Sequence, residues 1–304
     1  MIKNLKELRA AYRLSRSPNF KFLSFPPGHF YSPIPDTSEI DANEAAIFDQ
    51  SATELPGIDL QVDSQIALLQ QFGAFYADMP FREAQHADAR YYFDNPFFSY
   101  GDALALYSIM RVGRPRRIVE VGSGFSSAAM LDIDERFFQN SIDFTFVEPY
   151  PERLSGLLRP ADRQRCRVID ARVQDVESDV FAALEPSDIL FVDSSHVAKI
   201  ASDTLHLLFT VLPMLKPGVL VHIHDILWPF EYPKVWLEQG RAWNEAYLVR
   251  AFLMYNRTFE VVFFNSFMAV RHRDLLNRYL PLASQSPSSA VTKGNSSLWL
   301  RKVS

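Results

Sequence analysis

Apolar positions along this chain of 304 residues change rhythm near residue 116. Downstream, short apolar runs occur at 117–121, 144–147, 167–169, 189–192 and 219–223. Continuous rather than alternating apolar character marks strands covered on both faces, as in a parallel sheet. Segments of helical spacing separate most of these runs, 127–137 and 201–215 among them. Such strand–helix alternation predicts an α/β fold. Phe259-Glu-Val-Val-Phe-Phe264 predicts a sixth strand. The stretch 297–303, after a serine-rich loop containing Gly294, predicts a seventh that adds at a sheet edge.

Upstream the pattern is different. Leu5, Leu8 and Tyr12 predict a short amphipathic helix. From 17 to 57 the chain carries Pro18, Pro26, Pro27, Pro33, Pro35 and Pro56 and little periodicity. Proline fixes φ and removes a donor, so this stretch is expected to wrap a surface. Ile66, Leu69, Phe72, Phe75 and Tyr76 predict a helix over 63–80 with Asp63 as its cap, and a second helix is expected over 100–110. The expected layout is a helical and irregular N-terminal cap at 1–95, then a mostly parallel sheet domain at 96–304. An aromatic insertion, 227–247, interrupts that domain. No internal repeat is present.

Composition narrows the function classes. Hydrophobic residues are 48% and charged residues 22% of the chain, enough for a packed core along most of its length. A net charge of -5 counts against a nucleic-acid partner, which usually meets a basic excess. The single cysteine, Cys166, excludes an internal disulfide and a cysteine metal site. No apolar run nears the roughly 20 residues of a membrane span, and the N-terminus lacks a signal-peptide pattern. A cytoplasmic location without membrane contact is therefore expected, with a homo-oligomer left open.

Chemistry concentrates first at Glu120-Val-Gly122-Ser123-Gly124-Phe-Ser126-Ser127, where a buried strand turns into a helix. Glycines there let backbone pass close to a ligand, so a side chain added at Gly122 is expected to enter the ligand site and leave the fold intact. A nicotinamide dinucleotide site would want a third glycine where Ser127 stands. Glu120, just before the glycines, suits a cationic or amino-bearing ligand better than a pyrophosphate. An NAD(P)-dependent oxidoreductase on a similar sheet is the alternative class. Glu148 closes the next strand as a candidate bidentate acceptor for ribose hydroxyls.

The order E-x-G-x-G-x-S resembles the first motif of class I S-adenosylmethionine (SAM)-dependent methyltransferases, with Ser126 replacing a glycine. Strand-end acids at Glu148 and Asp193, and the turn Leu215-Lys-Pro-Gly218 before the fifth strand, follow in matching order. Tyr91 through Ser127, with Val192-Asp-Ser-Ser-His196 and the run 222–233, is similar to the bacterial subgroup called methyltransferase domain 24. The resemblance implies a seven-stranded Rossmann-like sheet with the last strand antiparallel, and SAM as cofactor. It also implies an adenine contact near Asp175, with Asp170 competing for that place.

At the far strand ends, Asp193 and His196 leave the fourth strand, and His222, His224 and Asp225 the fifth. Ligands of open α/β sheets bind beyond these ends. Two mechanisms fit. In one, His196, or His224, accepts the proton of an acceptor hydroxyl, beside Asp193. His196 stands three residues after the strand-end acid, where catechol-type O-methyltransferases carry a lysine. In the other, a divalent metal ion on Asp193, Asp225 and His224 lowers the pKa of the acceptor oxygen. Metal-dependent relatives follow the second acid with asparagine, and here Ile226 stands there. Trp228, Tyr232, Trp236 and Trp243 of the insertion are expected to wall the acceptor pocket. The combined expectation is O-methylation of a small-molecule or glycan hydroxyl.

Overall fold

A computed structural model describes residues 9, 12, 13, 15, 16, 24–288 and 295–304. The helix expected from Leu5 and Leu8, Pro18, and the loop at Gly294 lie outside them.

Seven strands are present: β1 (Arg117–Val121), β2 (Asp143–Val147), β3 (Arg167–Ile169), β4 (Ile189–Val192), β5 (Leu220–Ile223), β6 (Phe259–Phe264) and β7 (Leu298–Lys302). They form one sheet in the order β3-β2-β1-β4-β5-β7-β6. The first five are mutually parallel, and β7 runs antiparallel to both β5 and β6. The expected seven-stranded, mostly parallel Rossmann-like α/β fold is the one observed. One placement differs. β7 is not at an edge but sits between β5 and β6, leaving β6 outermost. Leu298, Trp299 and Leu300 are all fully buried, and the strand pairs with β5 on one side and β6 on the other.

Five helices matter for the site: α1 (Val62–Gly73), α2 (Tyr100–Gly113), α3 (Phe125–Phe137), α4 (Glu152–Leu157) and α5 (Glu245–Leu253). α1 ends sooner than its apolar spacing suggests, and Tyr76–Asp78 is a separate 3-10 turn. Its N-cap is Gln61, in left-handed backbone, rather than Asp63, which lies in the first turn. α3 starts straight after the glycine loop, where the Gly124 N–H donates to the Ser127 hydroxyl at 2.9 Å. That bond satisfies one of the polar groups exposed by a helix start.

Two units are distinguishable. One holds the described residues up to Asp49 with Trp236–Ala242, the other Gln50–Val235 with Trp243–Ser304. The boundary expected at 95 falls inside the second. There the backbone N–H groups of Arg90 and Tyr91 both donate to Asp132 of α3. The buried Arg90 guanidinium also binds Asp132, Glu135 and Asp162. Charge-assisted bonds of that density fix the segment to the sheet domain.

Candidate active site

The glycine loop is shaped by what lies against it. Gly122 has φ 84, and a Cβ there would stand 1.8 Å from the Asp193 carbonyl oxygen. Its own N–H donates to Val147 at 3.0 Å, while the Asp193 N–H donates to Val121 at 2.8 Å. Three strand ends therefore meet at one glycine. A side chain at Gly122 collides with the end of β4 before it reaches any ligand, which corrects the expectation that the fold would tolerate it.

Glu120 is wholly buried in β1. Its carboxylate accepts from the Ser126 hydroxyl at 2.5 Å and from the Ser127 hydroxyl. Burial pushes its pKa up to about 8, against the opposing pull of the two serines. Glu120 thus pins the start of α3 to the sheet, and its oxygens face those serines rather than an open ligand site. Glu148 stays half-buried at the end of β2, accepting from the N–H of Ser123 and of Tyr150, each at 2.9 Å. A carboxylate has about four acceptor positions, so two remain. The Ser123 hydroxyl oxygen is buried without a partner. An orphaned polar atom and a glycine cradle on the loop after β1, with a half-used carboxylate bonded to that loop from the end of β2, suit a polar cofactor such as SAM. Asp175 does not join them: it forms an exposed pair with Arg172 at 2.8 Å. Asp170 is exposed as well.

At the ends of β4 and β5 the side chains converge on His196. Its Nδ1 lies 2.8 Å from Glu245 Oε2, and its Nε2 lies 3.3 Å from Asp193 Oδ1 and 3.7 Å from Asp225 Oδ2. The His196 carbonyl accepts from the N–H groups of Asn244 and Glu245, at 3.1 and 3.2 Å. Asn244 in turn exchanges side-chain bonds with Ala198. These bonds clasp the loop after β4 onto the start of α5. His196 and Asp225 both sit on left-handed backbone, φ 59 and φ 56, a strain that recurs where function fixes a side chain. Burial works against charge on His196. The hydrogen bonds of Asp193 and Glu245 and the charge of Asp225 outweigh it, raising its pKa well above 6.5. Burial likewise opposes the Asp193 carboxylate, yet His224, His196 and Arg153 hold its pKa below the usual range.

The other histidines divide. His224 is buried, its Nε2 3.7 Å from Asp225 Oδ1 and its Nδ1 unpartnered. Burial lowers its pKa, but the charges of Asp225, Asp193 and Asp102 prevail and raise it. His222 belongs to the core below the rim. It stacks on Phe191 with ring centroids 3.7 Å apart and neither ring nitrogen bonded. Burial, with the charge of His224, drives its pKa well below 6.5.

The metal expectation does not hold. Among the described residues no group of three or more His, Cys, Asp or Glu side chains is arranged to hold a metal ion. Asp193, Asp225 and His224 are not brought into such a set; the His196 Nε2 lies 3.3 Å from Asp193 Oδ1 and 3.7 Å from Asp225 Oδ2. Of the aromatic wall, Trp243 stands beside His196, ring centroids 4.4 Å apart, and Tyr232 packs 6.0 Å from Trp243. Trp228 is instead fully buried against Phe264 and Phe267 and walls nothing. Trp236 lies with Arg241, whose guanidinium stands 5.1 Å from the ring centroid. The residue that reading missed is Glu245. It lies inside the aromatic run 240–247, 49 positions from His196, and only the tertiary structure pairs them.

Residues 119–226 match the model of a methyltransferase domain. Over 170 residues the chain is 38% identical to an uncharacterized protein of Archaeoglobus fulgidus, spanning 54% of this chain and 76% of that one. The chain belongs to the class I SAM-dependent methyltransferases, in the family of that methyltransferase domain. Solved structures align more loosely. The SAH-bound methyltransferase PaMTH1 of Podospora anserina is 14% identical, with 90% of this chain and 99% of that one covered and a TM-score of 0.40. TomG of Streptomyces achromogenes, an O-methyltransferase of tomaymycin synthesis in complex with SAM, is 14% identical, with coverages of 88% and 96% and a TM-score of 0.41. Likeness at that level assigns no residue a role. Among the described residues no helix is long and apolar enough to cross a membrane.

Proposed function

We propose that this methyltransferase transfers the SAM methyl group to a hydroxyl of a small-molecule or glycan acceptor, with His196 as general base. The observation that carries the reading is the Glu245–His196 pair at 2.8 Å, with Nε2 turned to the rim between Asp193 and Asp225. In the neutral ring the Glu245 carboxylate on Nδ1 selects the tautomer whose Nε2 carries the lone pair, the orienting role such a carboxylate plays in acid–base dyads, while in the charged ring Nε2–H faces Asp193. Gly122, Ser123 and Gly124 would hold the methionine end of the cofactor, and Glu148 its ribose hydroxyls, on the loop that Glu120, Ser126 and Ser127 pin in place. Bound SAM supplies an electrophilic methyl group on a sulfonium. Neutral His196 would take the acceptor's proton on Nε2, leaving the acceptor oxygen to receive the methyl group. Glu245 would then stabilise the His196 imidazolium at Nδ1, and Asp193 and Asp225 at Nε2. Trp243 and Tyr232 keep water from the proton-accepting ring.

The test is a screen for acceptors that gain a methyl group, followed by His196→Ala. Turnover should fall by about 10²–10⁴-fold, the range for a positioned acid–base group, with SAH affinity unchanged. A variant of undiminished turnover would refute the base assignment.

A further inference from the structure

We propose that Arg153 is the residue that binds the methionine carboxylate of the cofactor, facing Asp193 as the site for its ammonium. The assignment rests on SAM occupying the glycine loop.

Arg153 lies in the first turn of α4, just after the acid of β2. Its side chain crosses the glycine loop: a Cβ at Gly124 would lie 3.2 Å from Arg153 Cδ. The guanidinium stands 3.8 Å from the ring centroid of Phe97, which is 54% exposed and stacks in turn on Phe125 of α3. A ring face attracts the cation but takes up none of its five N–H donors in conventional hydrogen bonds. Among the described residues Arg153 has no ion pair and no hydrogen bond, whereas Arg159, Arg165 and Arg172 each pair with a carboxylate. The group is positioned and unspent.

Two glycines of one loop are therefore approached from opposite partners, Gly122 by the backbone of Asp193 and Gly124 by the stem of Arg153. An amino acid is a zwitterion, and a guanidinium and a carboxylate flanking one loop form its complement. Glu120, the other acid beside the loop, faces two serines, and the positions left on Glu148 are those proposed for the ribose hydroxyls. A planar guanidinium matches a carboxylate in a two-bond fork.

Calorimetry with two ligands separates this role from a structural one. SAH carries the amino-acid carboxylate, and 5′-methylthioadenosine carries the adenosine and thioether without it. Arg153→Ala should weaken SAH by about 10- to 100-fold, the equivalent of one charged hydrogen-bonded contact, and leave 5′-methylthioadenosine unchanged. Arg153→Lys, which keeps a point charge but not the fork, should recover part of the loss. Unaltered SAH affinity in Arg153→Ala, or an equal loss for both ligands, would overturn the assignment. Native protein that binds neither ligand would overturn the cofactor reading first, and this one with it.

Discussion

Gly122→Ala separates the architecture of the glycine loop from its chemistry. The new Cβ would meet the Asp193 carbonyl oxygen at 1.8 Å, on backbone with φ 84. Backbone cannot swing aside as a long side chain can, so the end of β4 must retreat by about 1 Å to reach even a tight contact. That movement strains the Asp193 N–H bond to Val121 and the Gly122 N–H bond to Val147. Each backbone bond is worth about 0.5–1.5 kcal/mol net, and left-handed backbone adds about 1–3 kcal/mol for a residue with a side chain. Together a destabilisation of roughly 2–6 kcal/mol follows. Thermal unfolding monitored by circular dichroism reads it, as a Tm lowered by several degrees. Gly124→Ala is the internal control. Its backbone is extended, and the added Cβ meets only the flexible Cδ of Arg153 at 3.2 Å, so its Tm should stay near that of the native protein. A Gly122→Ala protein that melts like the native one while losing SAH binding would refute the packing argument and return Gly122 to a purely ligand-facing role.

Glu148→Ala should weaken SAH by roughly 1.5–3 kcal/mol in calorimetry, the scale of hydrogen bonds to a charged group, with turnover at saturating SAM nearly unchanged. His196 should give opposite pH trends. Its raised pKa means that its pairings stabilise the fold below about 6.5 and that this contribution fades as pH climbs through the higher folded value. The rate should instead climb over that interval, since only the neutral ring accepts a proton. Glu245→Gln should shift the rising limb to lower pH, and EDTA should leave turnover unaltered. For Glu120, raised to about 8, the stability gained from burying a neutral carboxyl is complete below about 4.5 and drains away as pH rises toward 8. Glu120→Gln should flatten that slope in denaturant titrations at successive pH values.

Strand positions were readable because β1, β2, β4 and β5 are buried over most of their length, so each appears as a short, mainly apolar run. The place of β7 was not, because pairing partners are set by contacts across the chain and not by local pattern. Acids at strand ends could be found by counting, yet their orientation could not. Glu120 was visible as a carboxylate before two glycines, while its turn toward Ser126 and Ser127 depends on how α3 packs on the sheet. The same limit applies at the rim. His222 and His224 share one face of a strand, but one stacks on Phe191 in the core and the other reaches Asp225. Glu245 carried no local signal, since its importance comes from a loop clasped back over 49 positions.

The central claim is that the glycine loop is a SAM site, and calorimetric titration of the native protein with SAH, beside NAD, tests it most directly. The account predicts saturable binding of one SAH per chain and no heat with NAD. A cooperatively folded protein that takes up NAD, or that gives no heat with SAH, would contradict it.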